Sequence, residues 1–145
     1  MTSSTFFILP ILYYMTTRPL PHPSPNIYNI YDMLWEFTLA ILLTTNTVLS
    51  LLFWNNPINK CVIHWYDGTF GRISIVAFVV YIVFVKKIPV LQKMVFLAIF
   101  GLSMCYFYYS TKYSTESWLC EEHIEYHFIF HALIALGTLW AFITP

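Results

Sequence analysis

The chain has 145 residues, 59% of them hydrophobic and 10% charged, and its formal net charge is zero with histidine neutral. Soluble domains carry about 25% charged residues, so the composition excludes a soluble fold and predicts an integral membrane protein with membrane lipid around it. Seven Lys and Arg in all are too few for the basic patch that nucleic-acid phosphates require, so no nucleic-acid partner is expected.

Residues 5–16 are apolar but shorter than the roughly 17 residues a span needs. They lack the basic start and small-residue cleavage site of a signal peptide, so the segment either lies in the interface or forms a short first span. Pro19, Pro21, Pro23 and Pro25 stand at alternate positions, which predicts an extended linker over 17–29. Residues 1–32 thus read as an apolar segment plus a Pro-rich linker. Residues 33–145 read as a helical membrane domain. The predicted fold class is all-α, a bundle of four or five transmembrane helices, with spans at about 33–54, 64–85, 94–110 and 124–143. Aromatic residues, 20% of the chain, bunch at Trp54, at Trp65 and Tyr66, at Tyr106 to Tyr109, and at Trp118 and Tyr126. Those places fit an interfacial belt.

The first span carries Thr44, Thr45, Asn46, Thr47 and Ser50 in its second half. Such residues join helices by hydrogen bonds; in an oligomer they would line a lumen. Asn55-Asn56-Pro57 breaks the helix. A helix starting near His64 places His64, Asp67, Gly71 and Ser74 in one stripe. Lys86, Lys87 and Lys93 crowd the next loop, whereas the loop at 111–123 sets Glu116, Glu121 and Glu122 against Lys112. The positive-inside rule therefore predicts a cytosolic lysine loop. The loops at 55–63 and 111–123 then share the other side, where a Cys61–Cys120 disulfide is compatible with an oxidising compartment. Cys105 lies within a span, and three cysteines make neither a disulfide framework nor a Cys-type zinc site.

This topology brings Ser50, His64, Asp67, His127 and His131 to similar depth from three spans. His127 and His131 are an i, i+4 pair on one helix face. Intramembrane ionisable side chains are costly and face a partner, a cavity or a metal. Two imidazoles with a third ligand suit a catalytic zinc with an open position for water, and a carboxylate and a hydroxyl suit proton transfer and oxyanion binding. The plain structural alternatives are a packed, hydrogen-bonded histidine pair and Asp67 as a helix N-cap. Haem is disfavoured, because one helix cannot place both histidines on opposite faces of the ring. His123 extends the series but lies among Glu121, Glu122 and Glu125, and reads as solvated.

The block His127-Phe-Ile-Phe-His131-Ala-Leu133-Ile-Ala-Leu-Gly137 resembles the last helix of the CREST superfamily, which includes the alkaline ceramidases and the adiponectin and progestin receptor family. That helix looks like His-x-x-x-His-x-Leu-x-x-x-Gly. The family also has Ser-x-x-x-His on its second helix and an Asp on or near its third. By the resemblance Ser50 matches the serine, Asp67 the aspartate, and His127 and His131 the last two of three zinc ligands. The implied activity is zinc-dependent hydrolysis of a lipid amide such as ceramide. Four residues after Ser50 stands Trp54 instead of the first ligand histidine, and His64 is the candidate replacement. The family has seven spans, this chain four or five.

Three function classes follow. The leading one is a membrane-embedded zinc hydrolase of a lipid amide or ester, with His127, His131 and His64 on zinc, Asp67 as general base and Ser50 holding the water or oxyanion. The second is a non-enzymatic membrane protein that keeps a degenerate CREST-like site. The third is a small channel formed by a homo-oligomer.

Overall fold

The computed structural model describes residues 3–17 and 27–143. A 3-10 turn, Ser3–Phe7, leads into α1 (Ile8–Thr17). Four long helices follow: α2 (Ile27–Asn55), α3 (Val62–Val80) with a π-helical extension over Tyr81–Val85, α4 (Val90–Glu116) and α5 (Glu121–Ile143). The expected all-α membrane bundle is what forms, with four helices long and apolar enough to cross a membrane. The prolines at 19, 21, 23 and 25 lie outside the described residues.

Local chemistry explains the boundaries. After Asn55, Pro57 lacks the N–H a continuing helix needs. Lys60 takes a positive φ of 58°, and Cys61, extended, caps α3 by accepting the His64 backbone N–H on Sγ at 3.4 Å. Pro89 precedes α4 as its N-cap residue, a place where its fixed φ suits helix entry. The third span was expected over 94–110 alone. It runs on to Glu116 because the polar residues that follow turn inward on their own backbone: Thr111 donates to Phe107 O at 2.9 Å and Ser114 to Thr111 O at 2.7 Å.

The bundle consists of two helical hairpins. α2 pairs with α3, and α4 with α5, while the N-terminal turn and α1 wedge between α2 and α5. Among the described residues the two hairpins approach each other less closely, α3 with α4 as well as α3 with α5. The shared core gathers Leu39 and Leu43 of α2, Phe78 of α3, Phe96 and Phe100 of α4, and Ile134 and Phe142 of α5. Many large apolar side chains instead point outward, such as Val76 on α3 and Leu91 and Met94 on α4. That much exposed apolar surface suits hydrocarbon rather than water.

At the lysine end, sequence reasoning missed a buried ion pair. Lys86 is not a solvated loop residue. Its Nζ lies 3.4 Å from Glu36 Oε1 and donates to Ala141 O at 2.6 Å, and Tyr81 OH donates to the same Glu36 oxygen at 2.7 Å. The π-helical turn holds Tyr81 and Lys86 together: Lys86 N bonds Tyr81 O at 2.7 Å. Lys93, expected in the loop, sits in the first turn of α4 and donates to Val83 O at 2.8 Å.

Candidate functional site

A cavity of about 570 Å³ lies between the two hairpins, at the end away from the lysine loop. Such a volume is typical of small-molecule sites. His64 and Asp67 of α3 and His127 and His131 of α5 all line it. Ser50 of α2 is not among the lining residues: it is 1% exposed, with its Oγ 2.6 Å from Ser4 Oγ. The structure therefore brings four of the five sequence-predicted side chains around one chamber and leaves Ser50 outside its lining.

Their finer arrangement is uneven. His127 and His131 are neighbours, with ring centroids 4.4 Å apart, as their spacing requires. Trp54, in the register position of the missing ligand, does face the pair: its indole lies 4.9 Å from the His127 ring. His64 is placed differently. Its ring stacks on Phe53 at 4.7 Å, and Phe53 in turn packs on Trp54. Aromatic rings thus stand between His64 and His127. His64 Nδ1 accepts the Lys60 backbone N–H at 3.0 Å. A neutral imidazole that accepts at Nδ1 carries its proton on Nε2, which leaves no lone pair there for a metal. Among the described residues, no three His, Cys, Asp or Glu side chains form a group that would hold a metal ion. His127 and His131 are thus adjacent, with no third metal donor grouped beside them among the described residues.

His123 overturns the expectation of a solvated residue. It is 4% exposed, and its Nδ1 lies 2.9 Å from Ser110 O and 3.1 Å from Ser110 Oγ. Ser110 Oγ also lies 3.3 Å from His127 Nδ1. One hydroxyl of α4 thereby orients two imidazoles of α5. The far nitrogens, Nε2 of His123 and Nε2 of His127, are buried without a hydrogen-bond partner, and both residues line the cavity. Buried polar atoms need partners, and Asn46 Oδ1, Trp54 Nε1 and Ser74 Oγ, also on lining residues, share this state. The regular series His123, His127, His131 was the available signal for His123. Ser110 and Ser4 had none, because single serines in apolar helices are commonplace.

The N-terminal segment completes the chamber, with Phe7 packing on His131 at 5.3 Å between ring centroids. At the mouth, Trp118 Nε1 donates to Pro57 O at 3.2 Å and ties the two non-lysine loops together. Cys61 and Cys120 sit at this same end as free thiols.

Of the Thr44 to Ser50 patch, Asn46 lines the cavity, with its Oδ1 buried without a hydrogen-bond partner. Thr44 and Thr47 turn back on the carbonyls of Ala40 and Leu43, at 2.8 and 2.7 Å, and Ser50 is engaged with Ser4.

These features define a helical membrane protein with a histidine-rich internal cavity. Compared with known protein families, curated proteins and solved structures, the chain matches none.

Proposed function

We propose that this chain is a lipid-binding membrane protein whose cavity has the layout of a CREST-type site without its third zinc ligand. The observation that carries this reading is Trp54 packed on His127 at 4.9 Å, where the resembled family would place an imidazole. An apolar indole there fills the space of a ligand and leaves a chamber lined by aromatic rings with a few convergent polar atoms, the make-up of a lipid or small-molecule site. The lysine loop is assigned to the cytosol by its charge, which puts the cavity mouth on the other side.

A second reading, zinc-dependent hydrolysis of a lipid amide or ester, is favoured by one specific arrangement. The His127/His131 pair and Asp67 line the same chamber, and Ser110 orients His127 as an outer partner orients a metal-binding imidazole.

Zinc content, lipid retention and ceramide hydrolysis of the purified protein separate the two. The lipid-binding reading expects well below one zinc per chain, no released fatty acid and retained lipid. Retention should be lost in Gly68→Phe, because a Cβ at Gly68 meets nothing within 4 Å and the side chain would grow into the cavity it lines. One zinc per chain together with hydrolysis would establish the second reading instead.

A further inference from the structure

Arg72 lies near the middle of its span, about 15 Å from one end of the Val62–Val85 stretch and about 20 Å from the other. The reach of its side chain falls short of either interface. A cation at that depth is costly unless it meets a counter-charge. Among the described residues Arg72 has neither a hydrogen bond nor an ion pair. It nevertheless lines the cavity, in a stripe with Gly68, Gly71 and Ile75. Met104 and Phe107 of α4 line the cavity too. Arg72 is exposed on α3 while lining the cavity, so a molecule arriving from the bilayer can reach it.

Among the described residues none offers a carboxylate at this depth. Asp32 and Glu36 lie toward the lysine end, and Glu36 is engaged with Lys86. Glu116, Glu121, Glu122 and Glu125 lie in the last turn of α4 or the first of α5. Asp67 lies more than a helical turn nearer the mouth. A second copy of the chain would bring the same carboxylates at the same wrong depths. The counter-charge must come from a molecule that can enter hydrocarbon.

We infer that Arg72 binds the anionic oxygens of a single-chain amphiphile that arrives from the bilayer and lays its apolar chain in the cavity. A guanidinium offers a planar fork of donors that matches carboxylate or phosphate oxygens. Glycines at 68 and 71 leave room beside it. Both a long-chain carboxylate and a lysophosphatidate present this chemistry. The inference rests on the cavity being a lipid site and adds its charge selectivity.

The test is native mass spectrometry of the full chain released from phosphatidylcholine nanodiscs doped with oleate, lysophosphatidate or neutral monoolein. At least one anionic amphiphile should be retained tenfold or more over monoolein, and which of the two it is identifies the source. Arg72→Gln should erase that preference while monoolein binding stays unchanged, and Arg72→Lys should keep part of it. Retention of the anionic amphiphile by Arg72→Gln at the wild-type level would overturn the inference, as would equal retention of all three by the wild type. Retention of none would overturn both it and the lipid-cavity reading.

Discussion

The indole of Trp54 packs against the His127 imidazole with ring centroids 4.9 Å apart, on the helix that also carries Ser50 one turn earlier. Position 54 therefore faces the histidine pair even though the residue there cannot bind a metal. Zinc takes neutral imidazole nitrogens and needs at least three protein ligands in a catalytic site. Trp54→His supplies the third from the helix already in contact. The expected outcome is a rise from little zinc to about one zinc per chain by elemental analysis, abolished again by His127→Ala. A Trp54→His protein that binds no more zinc than the wild type would show that the pair is not oriented for a metal.

Gly137 of α5 meets α4 face to face. A Cβ added there would run into the Phe100 ring and close on Ile99. Phe100 has little room to yield, since its ring stacks on Phe96 at 4.3 Å. Gly137→Ala should therefore destabilise the α4–α5 hairpin by about 1–3 kcal/mol, the usual cost of overpacking. Thermal unfolding in detergent reads this as a lowered Tm. Phe100→Leu in the same chain should recover part of the loss, and a strictly additive double variant would refute the proposed contact.

What could be read from sequence followed physical signals that are local. The four spans were visible as apolar runs, and the shared depth of Ser50, Asp67, His127 and His131 followed from helix direction alone. The far ends of α4 were not visible, because Thr111, Ser114 and Thr115 look like loop residues until their hydroxyls are seen bonding their own helix. His123 departs from its expected solvated place for a related reason, which His64 shows by contrast. Both lie near a span end, and only packing decides which one is covered. Trp118 and Trp54 flank His123, at 5.2 and 6.2 Å between ring centroids, and bury it, whereas His64 packs on Phe53 and Trp118 but stays only half-buried at the mouth. The wedge formed by Ser4 and Phe7 was equally invisible, since nothing in residues 5–16 says which helices they insert between.

Lys86 and Glu36 form a buried pair, 6% and 4% exposed, reinforced by Tyr81 and the Ala141 carbonyl. Removing one member of such a pair leaves a buried charge poorly compensated, at a cost of about 3–5 kcal/mol. Lys86→Met should lower the Tm sharply and reduce the yield of folded protein. The double variant Glu36→Gln/Lys86→Met should be more stable than Lys86→Met alone, because the stranded carboxylate is gone. If the single and double variants unfold together, the ion pair does not join α2 to the end of α3 in the way described.

The bond from Trp118 Nε1 to Pro57 O at 3.2 Å places the α2–α3 and α4–α5 connections at one end, opposite the Lys86–Lys87 turn. That end carries Cys61 and Cys120, both half-buried and both free. The positive-inside rule assigns the lysine turn to the cytosol. In sealed, right-side-out vesicles a membrane-impermeant maleimide should therefore label Cys61 and Cys120 and leave a Lys87→Cys probe unlabelled until the vesicles are opened. Each native thiol should take one alkylating group with or without prior reduction. Labelling of the Lys87→Cys probe in sealed vesicles would invert the assignment and move the cavity mouth to the cytosolic face. Labelling of Cys61 and Cys120 from opposite faces would contradict the hairpin pairing itself, since the Trp118–Pro57 bond holds only if both connections emerge together.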